Sequence, residues 1–205
     1  IDDIVLLGAD AELIEAVSPH LNDFGILALV EDRPLARPVQ VDVGRVHYNR
    51  WLIVGSTSTD VAAAYTEAPA RSTLTPRGRT WFVGAGGPMG RMHLQRAIQV
   101  ADGPSEIVCT DVSDDRLEDL RSSFAEEAAR KGIRLVCLNP TRVDEYGAAM
   151  ARCQERGFDD IVVLAPIPSV ISQASGCLAR AGSMNIFAGV ARGTKTALDL
   201  SDTYR

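Results

Sequence analysis

The chain has 205 residues, of which 46% are apolar and 23% charged. That composition belongs to a globular protein with a sizeable core and excludes disordered and collagen-like chains. There are 21 Lys and Arg against 27 Asp and Glu, a net charge of −6 that argues against a nucleic-acid phosphate backbone as partner.

The chain opens at Ile1 rather than Met and runs at once into the strand-like Ile4-Val5-Leu6-Leu7, so it reads as a piece of a longer protein. Trp51–Gly55 is a further strand, and residues 67–79, with Pro69, Pro76 and Gly78, read as a linker. From Thr80 strands and helices alternate. Thr80–Val83 is a strand, followed by a Gly-rich turn and a helical stretch to about Ala101. Glu106–Thr110 is the next strand. Asp114–Lys131 is a helix, with Leu117, Leu120, Phe124 and Ala128 on one face and Gly132 as its stop. Arg134–Leu138, Asp160–Leu164 and Met184–Ala188 are strands, separated by helices over Val143–Arg156 and Ser169–Ala181. Short apolar strands separated by helices predict a Rossmann-type, doubly wound parallel sheet.

Aligning Ile1 with Phe158, an offset of 157 residues without a gap, sets the two ends of the chain in register. Asp2-Asp3-Ile4-Val5 falls on Asp159-Asp160-Ile161-Val162, Leu7 on Leu164, Ile14 on Ile171 and Ser18 on Ser175. Leu21 falls on Leu178, Gly25 on Gly182 and Asp42 on Asp199, over about 48 residues. This pattern predicts an internal duplication. Residues 1–66 are then strands four to six of a first copy, 67–79 the linker, and 80–205 strands one to five of a second copy that binds the nucleotide.

Cys109, Cys137, Cys153 and Cys177 form no C-x-x-C pair and sit in apolar or amphipathic segments. They read as buried free thiols, which fits the cytoplasm. The most apolar stretch, Ile161–Ile171, is broken by Pro166 and Pro168, too short for a membrane span.

The segment that carries chemistry is Gly84-Ala85-Gly86-Gly87-Pro88-Met89-Gly90. Glycines between a strand and a helix allow a tight turn and a close backbone approach to a pyrophosphate, and the helix start offers unpaired N–H groups. The spacing reads as Gly84-x-Gly86-x-x-x-Gly90 or Gly84-x-x-Gly87-x-x-Gly90. Asp111, 21 residues after Gly90, ends the second strand. A carboxylate there accepts from the ribose hydroxyls and repels a 2′-phosphate, which favours NAD over NADP. A Gly-rich turn with Asp111 as a helix cap, in a domain that binds nothing, is the competing reading.

With Thr110-Asp111-Val112-Ser113 and Arg116-Leu117, this segment resembles the cofactor domain of the medium-chain dehydrogenase/reductase superfamily. The likeness is to its zinc-type polyol and sugar-phosphate branch, such as sorbitol dehydrogenases and sorbose-1-phosphate reductases. It covers 80–205, and 1–60 as a partial second copy. Family members usually carry G-x-G-x-x-G, so the turn here has one residue more. The resemblance implies that Gly84, Gly86, Gly87, Pro88, Met89 and Gly90 hold the pyrophosphate and Asp111 the adenosine ribose. It places Arg116, Asn139 and Pro140 by the adenine, and Ala165, Pro166, Gly189 and Val190 beside the nicotinamide half. It also implies a polyol or sugar-phosphate substrate in the full protein, and zinc only in a catalytic domain upstream.

No Cys, His or Glu cluster has zinc spacing, and no Tyr-x-x-x-Lys is present, so no catalytic residue and no metal ligand is assigned. His93 reads as a helix-packing residue. Two other functions fit the pattern: an S-adenosylmethionine-dependent methyltransferase, and a non-catalytic interaction module. In the latter the strand Trp51–Gly55 would complete the sheet of residues 80–205. Sheet edges would serve a homodimer.

Overall fold

The computed structural model describes residues 1–8, 10–66 and 73–204, without the side chains of residues 66 and 152–154. Much of the expected linker (67–72) lies outside the described residues, as does the Cys153 side chain. In chain order the elements are β1 (Asp3–Leu7), α1 (Ala11–Val17), β2 (Ile26–Val30), β3 (Val39–Asp42), α2 (Val43–Tyr48), β4 (Leu52–Ser56) and α3 (Val61–Thr66). They continue as β5 (Arg79–Val83), α4 (Pro88–Gln99), β6 (Glu106–Thr110), α5 (Asp114–Arg130), β7 (Arg134–Leu138) and α6 (Val143–Gln154). The last are β8 (Phe158–Val163), α7 (Pro168–Ser175), β9 (Leu178–Ile186) and β10 (Lys195–Leu198). These elements form two compact units that interleave along the chain. One unit is Ser72–Ala165 with Cys177–Phe187; the other is Ile1–Arg71, Pro166–Gly176 and Ala188–Arg205.

The first unit is a five-stranded parallel sheet in the order β7-β6-β5-β8-β9. The chain winds outward from β5 to β7, then returns to the other side of β5. That is the doubly wound topology expected, with its reversal between β5 and β8. Helix α5 shows why the pattern was readable. The Ser113 hydroxyl accepts from the Arg116 N–H at its start, Asp114 and Asp115 lie in its first turn, and Leu117, Leu120, Phe124 and Ala128 are buried. Gly132, at φ +71°, lets the chain turn away after it. The apolar face packs on Phe82, Leu94, Ile98 and Ile107. Cys109 and Cys137 face each other across β6 and β7 as buried thiols, and Cys177 is buried too. The bond to Cys137, then burial, push the Cys109 thiol up, whereas the same bond holds the Cys137 thiol down, so Cys109 is not a ready nucleophile.

One helix departs from expectation. The stretch Ser169–Ala181 is not continuous helix: α7 ends at Ser175, and β9 begins at Leu178. Strand pairing outweighs the helical pattern. The Phe158 N–H donates to the Cys177 carbonyl at 2.9 Å and draws the chain into β9. Gly157, at φ +66°, lies so close that an added methyl would sit 2.5 Å from the Ala179 Cα. Gly182 is therefore inside a strand rather than after a helix.

The second unit holds a parallel sheet in the order β1-β2-β4 and an antiparallel pair of β3 with β10. The expected strand at Trp51–Gly55 is β4, and it extends the sheet of β1 and β2 rather than the five-stranded one. Ala28, Val54 and Ala64 pack together beneath it. Glu15 of α1 accepts from Arg37 at 2.6 and 3.0 Å and from the Gln40 N–H at 2.8 Å. The Arg37 bonds, then the Gln40 bond, hold the Glu15 carboxyl down to about 2.

Two outcomes follow from this packing. Leu120→Ala removes a fully buried side chain and should cost about 2–5 kcal/mol of unfolding free energy. The Thr80 hydroxyl in β5 is buried with no hydrogen-bond partner among the described residues, so Thr80→Val should leave the melting temperature equal or raise it. A thermal melt of both variants checks the pair. Because Glu15 is depressed in the folded state, its contribution is present above its ordinary value of 4.5 and is lost as pH falls toward about 2. Glu15→Gln should flatten that part of the stability-versus-pH curve measured by urea unfolding.

Candidate functional site

The site is built where β5 meets α4. Gly84 and Ala85 both donate to the Thr110 carbonyl, at 2.8 and 2.9 Å, which folds the turn over the end of β6. Gly84 has φ +83°, and an added methyl there would lie 3.0 Å from Ala165, at the end of β8. The Gly86 N–H donates to Asp111 Oδ2 at 2.9 Å, and a methyl on Gly86 would sit 2.7 Å from both that oxygen and the Arg116 Cβ. At Gly90 a methyl would run into the Ala85 carbonyl. Hence Gly84, Gly86 and Gly90 are glycines because protein fills the space. Gly87 is different: a methyl there would meet nothing within 4 Å, at an ordinary φ of −80°. It is the N-cap of α4, which has no side-chain capping bond, and Pro88 follows it in the first turn. Pro88 and Met89 are exposed. The uncapped helix start and the open space at Gly87 coincide.

Asp111 is buried, and both its oxygens accept backbone N–H groups. Oδ2 takes Gly86, and Oδ1 takes Ser113 at 3.0 Å. Each carboxylate oxygen keeps a further lone pair for a hydroxyl donor. Arg116 is exposed on the first turn of α5, with its Cβ beside Gly86. Asn139 is buried and fully engaged. Its amide donates to the Val112 carbonyl and to Asp114, and its oxygen accepts from the Thr141 backbone and hydroxyl. It fastens the loop after β7 to the loop after β6, with Pro140 following it half-buried. Arg142, then Asn139, hold the Asp114 carboxyl below its ordinary value. A cleft of about 250 Å³ is lined by Asp114, Glu118, Arg121, Asn139 and Arg142, but not by the glycine turn.

The glycine turn, Asp111, Arg116, Asn139, Pro140 and Ala165 thus belong to one compact unit. Pro166, Gly189 and Val190 belong to the other. There Val190 is buried and Gly189 is exposed. A methyl on Gly189 would lie 2.8 Å from the Tyr48 hydroxyl, a neighbour that no spacing in the sequence announces. His93 packs edge-on against Phe187 at 4.9 Å and near Phe82 at 6.1 Å, and burial pulls its basicity down. Among the described residues no group of three or more His, Cys, Asp or Glu is placed to hold a metal ion. No helix among them is long and apolar enough to cross a membrane.

No family model matches the chain. It is 36% identical over 121 residues to an uncharacterised protein, YggP, of Escherichia coli, which covers 58% of this chain and 28% of that protein. It is 33% identical over 105 residues to a mannitol-1-phosphate 5-dehydrogenase of Aliivibrio fischeri (50% and 25%). It is 31% identical over 116 residues to an L-sorbose 1-phosphate reductase of Klebsiella pneumoniae (57% and 27%). A benzyl alcohol dehydrogenase structure from Acinetobacter calcoaceticus superposes with a TM-score of 0.47 at 21% identity, over 63% of this chain and 32% of that one. The matches span about a quarter of the length of these curated relatives. The chain is related to dehydrogenases and reductases.

Proposed function

We propose that residues 80–205 are the NAD-binding portion of an oxidoreductase of the medium-chain dehydrogenase type, acting on a polyol or sugar phosphate. The observation that carries this reading is the open space at Gly87 in front of the uncapped start of α4, beside the fixed carboxylate of Asp111. An anion placed there meets unpaired N–H groups and the positive end of the helix dipole. A nicotinamide dinucleotide fits: pyrophosphate against Gly87 and Met89, ribose hydroxyls on Asp111. When bound, it supplies the carbon that takes or gives a hydride; the chain's own residues bind and orient it. The negative charge of Asp111 disfavours a 2′-phosphate, hence NAD over NADP. The substrate class comes from the names of the two sugar-phosphate relatives. No residue of the chain is assigned proton transfer, and zinc belongs to this reading only through residues beyond those described.

Trp81 is buried and its indole N–H donates to the Thr110 hydroxyl at 3.1 Å, so it reports on the strand ends that carry the turn. Thermal melts and Trp81 fluorescence should be followed with NAD, NADP and S-adenosylmethionine. NAD at ~100 Kd should stabilise by ~2.7 kcal/mol, and NADP less. Stabilisation by S-adenosylmethionine alone would favour the methyltransferase instead, and stabilisation by none would favour the interaction module.

Gly87→Val separates fold from binding. Its side chain enters open space, so the unliganded protein should lose no more than about 1 kcal/mol of helix capping. NAD should bind about tenfold more weakly or worse, ~1.4 kcal/mol. Gly90→Ala should instead lower the melting temperature without ligand, because the methyl meets the Ala85 carbonyl. Unchanged NAD affinity in Gly87→Val, measured by calorimetry, would remove the turn from the site.

A further inference from the structure

We propose that β3 and β10 are the same surface of two duplicated segments, paired with each other inside one chain about a local two-fold axis. The register of the two strands is symmetric. Lys195 lies opposite Asp42, Thr196 opposite Val41, Ala197 opposite Gln40 and Leu198 opposite Val39. Under the 157-residue offset, Gln40 corresponds to Ala197, Val41 to Leu198 and Val39 to Thr196. Gln40 therefore faces its own counterpart, and Val41 faces the counterpart of Val39. Of all registers open to two antiparallel strands, this is the one a two-fold axis through residues 40 and 197 produces.

Corresponding positions around the two strands make contacts of the same kind, though not bond for bond. Glu15 of α1 accepts from the backbone N–H of Gln40 at 2.8 Å. Its counterpart Ser172 of α7 donates to the backbone carbonyl of Ala197 at 2.6 Å. Asp42 accepts from the Arg45 N–H after β3, and its counterpart Asp199 accepts from the Ser201 N–H after β10. Ser201 accepts from the Leu35 N–H at 2.9 Å. Its counterpart Gly44 packs directly on the Ala191 carbonyl, where a methyl would not fit. Burial alternates alike: Val39, Val41, Thr196 and Leu198 are buried, while Gln40 and Ala197 are not. Such reciprocity is the mark of an isologous contact, in which a surface meets itself. The partner that fits this surface is a second copy of the same segment, here supplied in the same chain.

The backbone says how to break it. The Gln40 N–H is spent on Glu15 and the Ala197 carbonyl on Ser172. Positions 40 and 197 are then the pair whose backbone groups point away from the partner strand, and the ladder bonds fall at 41–196 and 39–198. Ala197→Pro should be tolerated in the strand, whereas Thr196→Pro removes a ladder donor. The test uses the 205-residue chain. Gln40→Cys with Ala197→Cys should form, on mild oxidation, a disulfide within the monomer, read by peptide mapping. Thr196→Pro with Gln40→Cys frees β3, which should pair with β3 of a second molecule. The expected result is a dimer by sedimentation, linked residue 40 to residue 40. The same chain with Ala197→Pro in place of Thr196→Pro should stay monomeric. A folded Thr196→Pro chain that stays monomeric and unlinked would overturn the proposal. Should that chain not fold, Thr196→Val/Ala197→Gln/Leu198→Val decides. It gives both strands the sequence Val-Gln-Val and should keep its melting temperature; loss of stability or of the 40–197 crosslink would show that the two strands are not interchangeable.

Discussion

The carboxylate of Asp111 is the fastening on which the five-stranded unit depends. Through Oδ2 it holds the Gly86 N–H of the turn, and through Oδ1 the Ser113 N–H at the start of α5. Its own N–H donates to the Leu138 carbonyl. One residue therefore ties the ends of β5, β6 and β7 at the edge of the sheet where a doubly wound fold binds its ligand. Two backbone donors satisfy the buried carboxylate. A carboxylate so placed serves the scaffold. Replacing it disturbs the turn together with any ligand, whereas Gly87 reports on the ligand more directly.

The turn divides its glycines by task. Gly84 answers a left-handed backbone and the approach of Ala165, and Gly86 and Gly90 answer close contacts with Asp111 and Ala85. These positions shape the loop. Gly87 shapes nothing within the protein; it leaves room. The extra residue relative to the usual G-x-G-x-x-G is accommodated here, with Gly86 tied down and Gly87 released as the helix cap. The helix start is left without a side-chain cap, so its N–H groups are available to an anion.

Much of this was legible in the residues. The strands of the five-stranded sheet are short apolar runs with turn signals, and α5 carries its cap, its apolar spacing and its stop in the sequence. The distance from Gly90 marks Asp111 in the sequence. What escaped is non-local. The shortening of α7 and the early start of β9 depend on the Phe158 bond to the Cys177 carbonyl, so no property of residues 169–181 alone announces it. The four-residue strands β3 and β10 are too short for periodicity to mark, and each is stabilised by the other 153 or more residues away. The engagement of the Asn139 amide and carbonyl inside the loop it fastens is also visible only in the fold. Tyr48 beside Gly189 likewise needs the fold to bring it there.

Amide hydrogen exchange with and without NAD tests the site most directly. If the dinucleotide seats its pyrophosphate on the start of α4, exchange at Gly87, Met89 and Gly90 slows on adding NAD, while amides at the start of α5, capped by Ser113, change little. Unchanged exchange at these three amides under saturating NAD would contradict the reading that the glycine turn is a nucleotide site.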